Sequence, residues 1–381
     1  MTRVVMVTVA WQDKVTQYVP SPRLWERDRV REPWMSKIIE KVWNVALVGA
    51  TGLVGEQVRE LLEERSFPVG AIKFLAHGKS AGAILEFGGK PVPVEELTHG
   101  SFEGIDIAFF CAGSSRSLDF CPSAAKAGAV CIDTSSAWRM DTEVPLVVAE
   151  VNPHAISEYP RKGIIATPAS AAIQLVLALK PLHDCASIKR IVVSTYQSVS
   201  GTGRKAISEL QKQVGELLNG RPIICSAYPH QIAFNCLPQI DDFASDGSTS
   251  EELKIINETR KILGGEIKMT ATAVRVPVFF GHSESINIET GAKLTVAKAR
   301  ELLAIAPGVE LVDDPTEGVY PMPSDASGQE LVMVGRIRED NSLESGLNLW
   351  VVADNIHQEA GNVVKVAEIL IGTYLNCIPC R

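Results

Sequence analysis

Short, almost continuous apolar runs alternate with amphipathic stretches through the first third of the chain. Residues 42–48 form such a run, the pattern of a parallel strand buried on both faces. Residues 56–65 follow with Val58, Leu61 and Leu62 at helical spacing on one face. Further apolar runs at 71–76, 105–110 and 129–133 repeat the unit. Strands alternating with helices predict an α/β domain with a doubly wound parallel sheet. The pattern changes near Ser170. Residues 171–179 read as a helix with Pro181 just past it, and 188–196 alternate like a half-buried strand. Residues 204–218 predict a long amphipathic helix closed by Asn219-Gly220, and 251–263 another stopped by Gly264-Gly265. Strands are expected at 270–280 and 285–289, in an antiparallel or mixed sheet. This half is α+β. A last helix over 363–375 is expected to pack back on the first domain. The predicted organisation is an extension over 1–40, a dinucleotide-binding domain over 41–169 with 354–381, and an α+β domain over 170–353.

At 381 residues the chain is long enough for two cores. Its net charge of −8 argues against nucleic acid or an anionic membrane surface as partner, though a local Arg and Lys cluster still suits an anionic small molecule. No run approaches the roughly 20 apolar residues of a membrane span. Several of the eight cysteines sit inside apolar runs, as Cys111 and Cys131 do, and read as small buried hydrophobes. With no secretion signal, reduced thiols and a cytoplasmic location are expected. Cys377 and Cys380 have redox-motif spacing but open no helix after a strand, so neither a redox nor a metal role is expected. Residues 1–34 mix acids with bases, unlike a transit peptide, and are expected to be a disordered extension or an upstream-start artefact ahead of Met35. N-terminal sequencing of the native protein decides that.

Gly49, Gly52 and Gly55 stand between a predicted strand and a predicted helix, with Thr51, Leu53 and Val54 in the same turn. Such glycines allow a tight turn, close approach of a diphosphate and close helix–strand packing, which predicts a Rossmann-type domain. The second strand ends in His77-Gly78-Lys79-Ser80, without the acid that usually binds the ribose of NAD. Lys79 and Ser80 suit a 2′-phosphate instead, so NADP is preferred. A solvated surface lysine is the plain alternative for Lys79.

Five segments then resemble one family in order. Ile132-Asp133-Thr134-Ser135-Ser136-Ala137-Trp138-Arg139-Met140 is similar to "IDNSSAFRM", and residues 144–153 to "VPLVVPEVNP". Residues 194–203 are similar to "STYQAVSGAG", and Glu251-Glu252-Leu253-Lys254 and Arg275 to Ser283 also fit. From Asn44 onward the chain resembles aspartate-semialdehyde dehydrogenases. The resemblance implies NADPH-dependent reduction of β-aspartyl phosphate to aspartate semialdehyde and phosphate, through a cysteine thioacyl enzyme, in a homodimer of a biosynthetic pathway. It places His282 at the acid–base position and Gln197 where the acyl group is oriented. It places Arg275 at the substrate carboxylate, Glu251 near the amine, Arg139 and Lys254 at phosphate, and Gly201 and Gly203 at the cofactor. Taken singly, Arg139 and Lys254 also read as surface charges, Glu251–Lys254 as a helical ion pair and His282 as a structural histidine.

The family's nucleophile segment, Asn-Pro-Asn-Cys, reads Thr167-Pro168-Ala169-Ser170 here, ungapped on both sides. Serine needs a strong adjacent base where cysteine is partly thiolate unaided, and an ester accepts hydride less readily than a thioester. A further asparagine is replaced by Thr134, and the family's nicotinamide stretch is shortened and carries Glu359. The chain is therefore similar to a paralogue lacking the catalytic cysteine. A catalytically impaired or inactive homologue is the expected function, a binding or regulatory protein. The alternative is an active or weakly active dehydrogenase. A Ser170–His282 hydrolase or reductase is disfavoured, because no third triad member is evident.

Overall fold

The computed structural model describes residues 41–375. The extension over 1–40, Cys377 and Cys380 lie outside the described residues.

The first sheet has seven strands: β1 (Trp43–Val48), β2 (Val69–Ala76), β3 (Ile84–Phe87), β4 (Lys90–Glu96), β5 (Ile107–Phe110), β6 (Val130–Asp133) and β7 (Ile164–Ala166). Their order is β3-β4-β2-β1-β5-β6-β7, parallel except for the β3–β4 hairpin at the edge. β5 and β6 are buried at every position, and so is β1 apart from half-buried Asn44; this is why they read as unbroken apolar runs. Helix α1 (Leu53–Glu64) follows β1, and α2 (Ser114–Lys126) follows β5. The fold is α/β with a Rossmann-like sheet, as the alternation predicts.

Helix α3 (Ser170–Ala186) opens the second half. Then come β8 (Ile188–Gln197), α4 (Arg204–Leu218), α5 (Ser250–Leu263), β9 (Lys268–Arg275), β10 (His282–Thr290), α6 (Val296–Ala304), β11 (Val309–Leu311), α7 (Pro323–Ala326), β12 (Val332–Glu339) and β13 (Gly346–Ala353). The six strands form a mixed sheet, β11-β12-β13-β10-β8-β9. Helix α8 (Asn355–Ile369) returns to the first sheet, where Val363, Val364, Val366 and Ala367 share a core with Val45, Val58 and Leu62.

Several boundaries differ from expectation, and the last helix runs Asn355–Ile369 instead of 363–375. Helix α3 runs through Pro181 to Ala186. A proline inside a helix costs about 3 kcal/mol, but residues 171–179 and Leu182 are all buried, and that apolar surface holds the helix together. β9 stops at Arg275 because Pro277 cannot donate to a ladder. β10 starts earlier, at His282, straight after the Gly281 turn. Among the described residues no helix is long and apolar enough to cross a membrane.

Candidate active site

The turn between β1 and α1 packs on itself. Gly49 has φ +87°, and a side chain there would come within 2.6 Å of the Cys111 carbonyl oxygen. One on Gly55 would come within 2.2 Å of the Gly49 oxygen. Gly52 caps α1 with no side-chain hydrogen bond, so the helix N-terminus keeps its N–H groups for an anion. Thr51, Leu53 and Val54 line the half-buried rim. A cradle that a Cβ would fill fits a cofactor diphosphate. Gly55→Ala is expected to cost about 1–3 kcal/mol through overpacking and to weaken NADP(H) binding, checked by urea denaturation and cofactor titration.

Beyond β2, Gly78–Ser80 forms one 3-10 turn with Ser80 half-buried. The Lys79 side chain lies outside the described part of the structure. An acid does reach the end of β2, from β4. Parallel pairing sets Ala76 beside Glu96, whose Oε1 accepts from the Gly78 N–H at 3.3 Å and lies 3.0 Å from His77 Nδ1.

A second cluster forms where the ends of β8 and β9 meet the start of β10. Gln197 and Arg275 are register partners, and His282 opens β10. His282 is buried, and its Nδ1 accepts from the Ser198 N–H at 3.2 Å with Ser198 Oγ at 3.1 Å. That bond puts the proton of the neutral ring on Nε2. Burial, reinforced by the Arg275 charge, pushes His282 down to about 3. The ring is thus a neutral hydrogen-bond donor and a very weak base. A side chain on Gly201 would come within 3.0 Å of Arg275 Nη1 and 3.4 Å of His282 Nε2, so glycine keeps this space open. Gly203 caps α4 at φ +93°.

Arg275 is 5% exposed. Its Nη1 donates to the Ser198 carbonyl at 2.7 Å, its Nε has no partner, and among the described residues no carboxylate lies within ion-pair distance. Burial pulls its pKa below the usual arginine range. A buried cation with an unused donor suits a carboxylate ligand. Beside it, Gln197 Nε2 donates to Glu251 Oε1 at 3.0 Å, and Lys254 Nζ lies 3.4 Å from Glu251 Oε2 while also pairing with Asp241. Glu251 and Lys254 thus form the helical ion pair, with Gln197 on the same carboxylate.

Ser170 is the first residue of α3, half-buried at the helix N-terminus, and no hydrogen bond joins it to His282. The N–H of Ala169 before it donates to Glu258 Oε2 at 2.7 Å. Among the described residues no other thiol takes over its position. Burial, with Glu359 and Asp133 nearby, pushes the Cys111 thiol far up, so it is no thiolate. Cys121 and Cys131 lie in the core, and Cys185, Cys225 and Cys236 are exposed.

Arg139 departs from its reading as a surface charge, since it is buried and bonded within the protein. Its Nε donates to the Thr167 oxygen at 2.9 Å, Nη1 to Glu258 Oε1 at 3.0 Å and Nη2 to the Thr134 oxygen. Burial opposes its charge, but Glu258 holds the guanidinium above its usual value. It cross-links β6, the Ser170 segment and α5. Glu359 faces the same spot. Burial raises it to about 7 against the pull of Arg139 and Thr134. The folded chain then keeps this proton longer than the unfolded one, so the contribution of Glu359 to stability falls as pH rises from about 4.5 to about 7. Glu359→Gln should flatten that slope and stabilise the fold at pH 8 by about 1–3 kcal/mol, read from urea unfolding at pH 5 and pH 8.

Sequence reasoning missed Asn355 and Ser198 as parts of the site. Asn355 Oδ1 accepts from Ser198 Oγ (3.1 Å), Ser200 Oγ (3.0 Å) and the Gly281 N–H (3.2 Å). It ties α8 to both segments that hold His282. Asp354, whose side chain caps α8, is the one local signal that could have found the place.

Both halves of the chain match models of one class. Residues 44–159 match the semialdehyde dehydrogenase NAD binding domain, and residues 179–358 the semialdehyde dehydrogenase dimerisation domain. The aspartate-semialdehyde dehydrogenase of Aquifex aeolicus is 52% identical over 333 residues, 86% of this chain and 98% of that one. The crystal structure of aspartate semialdehyde dehydrogenase II from Vibrio cholerae complexed with ASA is 45% identical, with TM-score 0.85, covering 88% of this chain and 99% of that one. The enzyme of Candida albicans with NADP is 25% identical at TM-score 0.68, over 87% and 99%. The chain belongs to the aspartate-semialdehyde dehydrogenase family.

Proposed function

We propose that this chain is a cytoplasmic, homodimeric member of the family that binds NADP(H) and a four-carbon amino-acid ligand but turns it over poorly or not at all. The observation that carries this is Ser170 at the head of α3 with no base in contact. His282, the base the family resemblance offers, has its Nδ1 engaged by the Ser198 N–H and is held neutral by burial. A neutral ring whose conjugate acid is this acidic cannot take the serine proton to a useful extent. The same fact weighs against a Ser170–His282 hydrolase.

The binding half of the site is intact. Arg275 offers a free donor to a carboxylate, Glu251 faces the amine side, Gln197 is oriented by Glu251, and His282 presents Nε2–H toward a carbonyl oxygen. Lys254, partly exposed, is the more accessible phosphate contact, whereas Arg139 is buried. The cofactor, held at Gly49, Gly52 and Gly55, supplies hydride chemistry when bound. Dimerisation follows the family model over residues 179–358.

A working dehydrogenase is the second reading, favoured by 52% identity to the Aquifex aeolicus enzyme. The reverse assay separates the two: aspartate semialdehyde, phosphate and NADP, followed by NADPH absorbance. The expected rate is lower than that of a cysteine-bearing relative by a factor on the order of 10³ or more. A comparable rate sinks the proposal. Calorimetry with NADPH tests cofactor binding apart from turnover.

A further inference from the structure

Residues 221–237 cross beside the Arg275 pocket almost without regular structure. Their shape is set from α4, by two buried polar side chains one turn apart. Glu209 Oε2 accepts from the Ser226 N–H (2.6 Å), the Ser226 hydroxyl (2.6 Å) and the Ala227 N–H. Gln213 Oε1 accepts from the N–H groups of Ile232 (3.0 Å) and Ala233 (3.1 Å), and its Nε2 donates to the Ile224 carbonyl at 3.2 Å. Two side chains thus take four backbone N–H groups of a segment that has no ladder of its own. The segment ends by pairing directly with the pocket, because Leu237 and Arg275 exchange both backbone hydrogen bonds, at 2.9 and 2.8 Å.

This arrangement fixes Tyr228, the residue after the clamped Ser226-Ala227 pair. Its ring joins a small apolar cluster with Val199, Ala206 and Leu210. Its hydroxyl donates to Thr202 Oγ1 at 2.9 Å, next to Gly201, whose open space faces Arg275 and His282. With its hydrogen given to Thr202, the phenol oxygen has only lone pairs left for a ligand. An amino acid whose carboxylate is gripped by Arg275 brings an ammonium with three donors into the same pocket. Glu251 is already shared, one oxygen accepting from Gln197 and the other facing Lys254, so a further acceptor helps to complete the three bonds of the ammonium.

We propose that the Tyr228 oxygen is a second acceptor for the α-ammonium of the ligand, and that Glu209 is the positioning residue that aims it through the 221–237 segment. This rests on the amino-acid reading of the Arg275 pocket. It makes Tyr228 a specificity determinant, distinguishing amino acids from their desamino counterparts.

The test uses the full-length protein without cofactor, titrated calorimetrically with L-aspartate 4-semialdehyde and with succinic semialdehyde, which keeps the carboxylate and aldehyde but lacks the amine. Wild type should prefer the amino compound. Tyr228→Phe should weaken that compound about tenfold, the worth of one hydrogen bond to a charged group, and leave the desamino compound unchanged. Glu209→Gln should lose the same preference, and the Tyr228→Phe/Glu209→Gln double variant should lose no more than either single one. Should Glu209→Gln fail to fold, Tyr228→Phe decides alone. A Tyr228→Phe protein that keeps its preference, or weakens both compounds equally, overturns the proposal. Wild type binding neither compound sinks the underlying pocket reading, which is a separate outcome.

Discussion

Ser170→Cys is expected to raise the reverse rate by a factor on the order of 10² or more, while leaving it below that of a cysteine-bearing relative. The gain follows from the atom. A cysteine at the head of α3 would sit at a helix N-terminus, which lowers a thiol pKa, and would need no base to become nucleophilic. The shortfall follows from the surroundings. On the family resemblance the segment around Ser170 lacks the neighbouring asparagines and Glu359 stands in an altered stretch, and Glu258 takes the Ala169 N–H. The measurement is NADPH absorbance with the three substrates of the reverse reaction, for both proteins in parallel. Full recovery by the single change would show that Glu359 and its neighbours cost nothing, and the account of this region would have to be abandoned.

Arg275→Met should move two quantities in opposite directions. Without ligand, wild type holds a guanidinium with a partnerless Nε in a pocket that penalises its charge. Methionine removes that penalty and loses the bond to the Ser198 carbonyl, worth about 1 kcal/mol. The apo protein should therefore gain about 1–3 kcal/mol of stability. Affinity for aspartate semialdehyde should fall about 10²- to 10³-fold, the usual cost of deleting one partner of a buried charged pair. Urea denaturation and calorimetry read the two effects separately. A destabilised apo protein would mean that Arg275 is a structural cation.

How much of this was legible in the chain depends on the distance over which each feature is decided. The parallel strands β1, β5 and β6 could be read because burial on both faces leaves apolar runs that local sequence displays. Helix α4 was readable to the residue because Gly203 before it and Asn219-Gly220 after it are local signals. The end of α3 was not, since a proline signal was outweighed by packing against elements a hundred residues away. Glu96 was invisible for the same reason: only strand pairing carries it to the end of β2. Arg139 was placed in the correct motif, yet its engagement depends on Glu258, more than a hundred positions later. The clamps made by Asn355, Glu209 and Gln213 join segments with no sequence periodicity to betray them. The glycine turn could be picked out from its spacing between a strand and a helix, whereas Gln197, Arg275 and His282 were singled out only by the family resemblance.

Helix α3 is enclosed along most of its length, from Ala171 to Leu179 and again at Leu182. Its first residue is therefore held in place by everything behind it and contributes little to that hold. Whatever atom is mounted there, the mount does not move. Folding stability cannot police this position, because sulfur, oxygen or a bare methyl would all be carried equally well. A lineage released from the need for turnover could shed its chemistry here in one step and keep its shape, its pocket and its partner.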